Sequence, residues 1–317
     1  MAVFVAYKYE FMHSQTEGSL FDTEAGEKVS EETVRFKWSS FLNPKSDLRL
    51  YRKVNGEIQA ANARVVANKN DIVILTVHNV KNLEQWKYMA SEPEKLLSYP
   101  HCKVIIDNRK GVQQILVERS EAFNYNPETA RKMLEKCMND FAIELRYTVK
   151  FFGKYVAKDT WKVVEEQRQN GHPVISISFS IGSRAQADID EDDICKAAVW
   201  WNGLTGAAFS TITTHAKSKG ELAFMEASED CRRIVQILAN NGYNLTVRFR
   251  GGGVHKSNSQ VTALFEMPQE ADFDFINGQL AFGGKSKLVD WLDDIRNPSK
   301  YSYKDVEIHS ERGRAAS

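Results

Sequence analysis

The stretch Val104-Ile-Ile-Asp-Asn-Arg-Lys-Gly-Val-Gln-Gln-Ile-Leu-Val117, followed by Asn126-Pro-Glu-Thr-Ala-Arg-Lys-Met-Leu-Glu-Lys-Cys-Met-Asn-Asp-Phe141, decides how this chain folds. Val104–Asp107 and Val112–Glu118 are short apolar runs separated by the turn residues Asn108, Arg109, Lys110 and Gly111, so they read as a hairpin. The second segment carries clear helix signals. Asn126 is placed to cap, Pro127 suits the first helical position, and Glu128 favours the positive end of the dipole. Ala130, Met133, Leu134, Cys137, Met138 and Phe141 follow at i, i+3, i+4, i+7, i+8 and i+11, one apolar stripe. A meandering antiparallel sheet with helices packed on it is therefore predicted, an α+β fold.

Upstream, Val3, Val5, Tyr7, Tyr9 and Phe11 alternate with other residues as a half-buried strand does, and Ser14 to Glu32 reads as a long polar loop. Strands are expected over 47–53, 58–66 and 71–77, the first two joined by the hairpin dipeptide Asn55-Gly56. Downstream come a strand over 146–152, a helix over 160–169 capped by Asp159, and the apolar strand 174–181. From Gly182 the composition turns to Gly, Ser, Ala and acid, with the run Asp188-Ile-Asp-Glu-Asp-Asp193. Two domains are predicted across that shift, 1–182 and 183–317. The second is read as a helix over 194–202, a Thr/Ser-rich loop, a helix over 229–240 capped by Ser228 and ended by Asn241-Gly242, a basic hairpin, a loop, and a helix over 287–296. Residues 302–317 read as a polar tail.

With 42 Lys and Arg against 42 Asp and Glu, net charge is zero; division at residue 182 leaves +3 and −3, too little to name a partner. No apolar run approaches the length of a membrane helix and the first residues lack a secretory pattern, so a cytoplasmic location is expected. Cys102, Cys137, Cys195 and Cys231 are scattered, without metal-ligand spacing, and read as reduced core thiols. Counting an EF-hand from Asp188 puts Asp193 where glycine is needed and Val199 where an acid is needed. No cofactor or metal is expected.

The residues with most chemistry are Leu245-Thr-Val-Arg-Phe-Arg-Gly-Gly-Gly-Val-His-Lys256, running on to Val261–Met267 as a second strand. Strand alternation puts Arg248 and Arg250 on one face, near His255 and Lys256, and a glycine tip admits close backbone approach. Planar guanidinium forks suit phosphate. The alternative is that one arginine pairs with Glu266 across the hairpin. Arg109 and Lys110 at a turn tip, and Lys150 and Lys154 among Phe151, Phe152 and Tyr155, are further candidate contacts to nucleic acid, with DNA the expected form. No Walker A loop, nucleophile elbow or Cys-His pattern is present. An enzyme is thus disfavoured, although Asp107 with Glu118-Arg119 weakly suggests a metal-dependent nuclease that lacks its usual lysine. Trp200-Trp201, followed by Gly203, Gly206, Ala207 and Ala208, suggests instead a homodimer or scaffold contact.

The order of elements over 47–181, with Leu50-Tyr-Arg-Lys-Val-Asn-Gly56, Ile72–Thr76, Val104–Val117 and Val174-Ile-Ser-Ile-Ser-Phe179, resembles prophage exclusion proteins of the RexA kind and the KwaB component of the Kiwa antiphage system. The resemblance covers about half of the chain and rests on pattern, so it transfers no site residue. It implies a two-domain, dimeric, non-sequence-specific DNA binder in bacterial defence. Separately from the resemblance, a membrane or defence-system partner protein of unknown identity is a further expectation.

Overall fold

The structure, a computed structural model, describes residues 2–13, 29–44, 47–79, 81–85, 94–155, 157–182, 193–205, 207, 209–218, 220–257, 264–280 and 286–296. The chain opens with strand β1 (Val3–His13), helix α1 (Glu31–Phe41) and strands β2 (Asp47–Val54), β3 (Glu57–Lys69) and β4 (Ile72–His78). Strands β5 (Lys81–Gln85) and β6 (Glu94–Ser98) form a separate two-stranded arm before β7 (His101–Asp107) and β8 (Gln114–Glu118). Helix α2 (Pro127–Ile143), strand β9 (Tyr147–Gly153), helix α3 (Ala157–Gln169) and strand β10 (Val174–Gly182) follow. The remainder is α4 (Asp193–Thr205), β11 (Phe209–His215), α5 (Glu229–Asn241), β12 (Leu245–Phe249), β13 (Gly253–Lys256), β14 (Leu264–Glu266), α6 (Gln269–Ile276) and α7 (Lys287–Arg296).

Eight strands form one sheet, β14-β1-β8-β7-β4-β3-β2 with β9 also on β1; β11-β10-β12-β13 form another. Every described pairing is antiparallel, so the fold is α+β as its hairpin signals require. Alternation explains the layers. Tyr7, Tyr9, Phe11, Val73 and Leu75 face α1 and α2, meeting Trp38, Met133, Leu134 and Met138. Phe4, Ala6, Ile72, Ile74 and Leu116 point the other way, onto Phe275 of α6 and Leu288, Trp291 and Leu292 of α7. Strands β1, β8, β7 and β4 at the centre of the large sheet are thus covered on both faces, whereas β2 and the first half of β3 are largely exposed. In the small sheet, Ile177, Phe179, Ile181, Ile212 and Val247 pack on Trp161 of α3, Cys195 and Ala198 of α4, and Val235 and Leu238 of α5, all on one side.

The two sheets meet at a buried polar seam. Lys8 Nζ lies 3.1 Å from Glu10 Oε1 and donates to Asn241 Oδ1 at 2.7 Å; Tyr243 Oη donates to the same Glu10 oxygen at 2.7 Å. Gly242 ends α5 with φ +66° and sits against β9, where an added Cβ would come within 2.9 Å of the Gly153 oxygen and 2.8 Å of Phe152 Cβ. Glycine there satisfies both the left-handed cap and the close approach.

Several elements differ from expectation. Helix α1 begins inside the predicted loop, capped by Ser30, whose Oγ accepts from the Thr33 N–H; residues 14–28 lie outside the described set. The Thr/Ser-rich loop contains β11, and the loop after the basic hairpin contains α6. Helix α3 starts at Ala157, which puts Asp159 in its first turn rather than at its cap. A cut at residue 182 would sever β10 from β11 and β12, the strands to which it is hydrogen-bonded, while β14, α6 and α7 return to the large sheet. The acidic run up to residue 192 and the tail beyond 296 are outside the described residues.

Candidate nucleic-acid interface

The basic hairpin is tighter than its sequence suggested. β12 turns through Arg250, Gly251 and Gly252 into β13, with Thr246 opposite Lys256, Val247 opposite His255 and Arg248 opposite Val254. Glu266 belongs to β14 and pairs with Val3 in the other sheet, so the cross-hairpin ion pair is not formed. Glycine at the tip answers to packing. Gly251 and Gly253 have φ of +76° and +83°, and a Cβ on Gly252 would collide with the Gln167 side chain and lie 2.8 Å from His172 Cβ.

The structure separates the four hairpin candidates. Arg248 is exposed and makes no ion pair among the described residues. Arg250 has left the strand, and its guanidinium donates to the Gly220 carbonyl at 2.7 Å. His255 is a correction: as the partner of the buried Val247 it points inward, and its Nε2 is buried without a hydrogen-bond partner among the described residues. Burial lowers its pKa from 6.5, with Asp159 pulling weakly the other way. Lys256 stays exposed, beside Thr246 on the outer face.

That outer face is a lattice of hydroxyls. Ser178 and Thr213 are hydrogen-bonded across the ladder at 2.9 Å, as are Ser180 and Thr211. Thr246 lies beside Ser178, and Ser176 stands between His215 and Arg248. Arg248, Lys256 and His215 therefore edge a polar surface opposite the face that the helices cover.

A second basic surface was not foreseen. A groove of about 870 Å³ runs between β2 and α2, lined by Arg52, Lys53, Asn55, Arg131, Lys132, Glu135, Lys136 and Asn139. Its helical members occupy the side of α2 opposite the apolar stripe, which is how α2 buries one face and aims cations from the other. Arg131 is neutralised by Glu128 at 2.9 Å and Glu135 at 2.7 Å, and Lys136 by Asp140 at 2.9 Å. Arg52 donates to Gln59, and Tyr51 Oη donates to Asp140 at 2.6 Å, tying the strand to the helix. Lys53 and Lys132 are exposed and make no ion pair among the described residues. The sequence signal was present in Arg131-Lys132 and Lys136 on the polar stripe, but nothing local brings Arg52 and Lys53 to meet them.

The other expected contacts are elsewhere. Arg109 grips the fully buried Asp107 with two hydrogen bonds of 2.8 and 2.7 Å and reaches Asp293 at 2.8 Å. These bonds outweigh its desolvation and raise its pKa; its charge is spent on the fold. Lys154 is buried, donating to Gln114 Oε1 at 2.8 Å, and cannot reach a polyanion. Lys110 is exposed and 3.6 Å from Glu32, while Lys150 is exposed over the Phe209 ring. Asp107 and Glu118 do not form a metal pair. They stand four ladder steps apart, about 13 Å at the rise of a strand, and Glu118 accepts the Lys103 N–H. No cluster of three metal-ligating side chains occurs among the described residues. Burial pushes the Cys102 and Cys137 thiols up, Cys137 to about 11, so neither is an activated thiolate. Among the described residues no helix is long and apolar enough to cross a membrane.

Comparison with known proteins gives no matching family model, no matching curated protein and no matching solved structure.

Proposed function

We propose that this protein binds nucleic acid, with DNA the expected form, through its phosphates and without sequence preference, in bacterial antiphage defence. The observation that carries the reading is the groove between β2 and α2, where Lys53 and Lys132, exposed and without an ion pair among the described residues, lie beside Arg52. Arg248 and Lys256 on the hydroxyl-lined sheet face supply a second set of donors, Ser and Thr hydroxyls being ordinary partners of phosphate oxygens. Defence is the role implied by the resemblance of residues 47–181 to exclusion proteins.

Zero net charge predicts modest affinity, and phosphate contacts predict that it falls steeply with salt. Fluorescence anisotropy on random duplex and single strands, at low and high salt, is the test. Changing Arg52, Lys53 and Lys132 to Ala should reduce the slope of log affinity against log salt by about 0.9 per lost duplex contact. No binding at low salt would overturn the proposal. A slope lost only in the Arg248→Ala, Lys256→Ala variant would move the interface from the groove to the sheet.

A further inference from the structure

The small sheet ends at β11, Phe209-Ser-Thr-Ile-Thr-Thr-His215, and among the described residues no strand pairs with its outer edge. Proteins ordinarily blunt such an edge with lysine, proline or a bulge, because its outward N–H and C=O groups are a template for another strand. β11 has none of these and carries no Asp, Glu, Lys or Arg. Beside it α4 presents an apolar stripe, Ile194, Ala197, Trp201 and Leu204, at helical spacing. Ile194, Trp201 and Leu204 are 48, 53 and 65% exposed, and the neighbouring Trp200 is 65% exposed. Between helix and strand lies a groove of about 530 Å³ lined by Ile194, Ala197, Ala198, Trp201, Thr211 and Ile212.

We infer that β11 pairs antiparallel with the β11 of a second copy of this chain, joining two small sheets into one of eight strands. The strand complements itself. Paired along its full length about Ile212, it sets Ile212 against its own counterpart, Thr211 against Thr213, and Ser210 against Thr214. The Thr211 and Thr213 hydroxyls extend the lattice already formed with Ser180 and Ser178. A two-fold axis normal to the sheet keeps both α4 helices on the same side, so their stripes face each other and tryptophans from one copy close the groove of the other. Aromatic side chains bury about 150–250 Å² each. Two such patches with a seven-residue strand pair reach the roughly 1,200–2,000 Å² of a stable interface. Both polar outer faces, each with its Arg248, then lie side by side.

The test is sedimentation velocity of the full chain over a hundredfold concentration range. The wild type should sediment as a dimer of 36.1 kDa chains. In the paired strand, Thr211→Lys, Thr213→Lys sets lysine against lysine twice, and like charges directly opposite are destabilising. That variant should be monomeric with an unchanged circular dichroism spectrum, since both positions are exposed. The Thr211→Glu, Thr213→Glu variant should also be monomeric, and an equimolar mixture of the two should restore the dimer mass. Trp201→Glu should raise the dimer dissociation constant at least tenfold. A wild type monomeric at every concentration would overturn the inference and leave this edge to a different chain. A dimer indifferent to the paired lysines, or a mixture that stays monomeric, would overturn the strand pairing.

Discussion

The large sheet and the small one use polar residues in opposite ways. On β1, β7 and β8 of the large sheet, Lys8, Glu10, Asp107 and Gln114 are buried, because helices or the small sheet cover both faces. Each therefore has to find a partner inside the protein, and each does: Asn241 and Tyr243 for the first pair, Arg109 and Lys154 for the second. On the small sheet, helices cover one face only, so Ser176, Ser178, Thr213, Thr246 and Arg248 turn outward. A charge in the first setting holds the fold together; the same charge in the second is available to a ligand.

The comparison breaks most readily at the seam. Lys8→Met strands Glu10 in a buried site with Tyr243 its one remaining side-chain donor among the described residues, and loss of one partner of a buried pair costs about 3–5 kcal/mol. The double change Lys8→Met, Glu10→Leu should recover much of that loss in urea unfolding. A single-variant cost below about 1 kcal/mol would mean that water reaches the seam. Next in size is a matched pair of substitutions. Ile74→Ala in the twice-covered centre of the large sheet should cost about 2–5 kcal/mol, whereas Ser178→Ala on the open face should cost about 1 kcal/mol or less. Similar costs would show that the outer face is covered in solution.

A smaller effect depends on pH. The folded pKa of His255 lies below its unfolded value of 6.5, so the unfolded chain binds its proton first. Its neutral form is the one the fold favours. This contribution is full above about pH 6.5 and is lost as pH falls through the folded value. His255→Gln should flatten that part of the melting-temperature profile; parallel profiles would place the imidazole in solvent. The smallest expected change is Arg248→Ala, which should alter stability by about 0.5 kcal/mol or less while lowering the salt slope of the proposed DNA binding by about 0.9. A loss of stability without a change in slope would make Arg248 structural, like Arg109.

Local chemistry was enough to read the elements whose signals lie within a few residues. Asn126 and Pro127 start α2, Ser228 and Gly242 bound α5, Asn55-Gly56 joins β2 to β3, and alternation marks β1. Caps and turns satisfy backbone groups of their immediate neighbours, so the sequence states them directly. The roles of the charged residues were not legible in that way. Arg109, Lys154 and His255 look like solvated charges, yet Asp107, Gln114 and the inward register opposite Val247 decide otherwise. Arg52 and Lys53 meet Lys132 only because β2 packs on α2, some eighty residues along the chain. Glu266 leaves the hairpin to pair with Val3 for the same reason. Which face is covered, and which charge is already neutralised, depends on contacts between distant segments, and those contacts leave no periodicity in either segment alone.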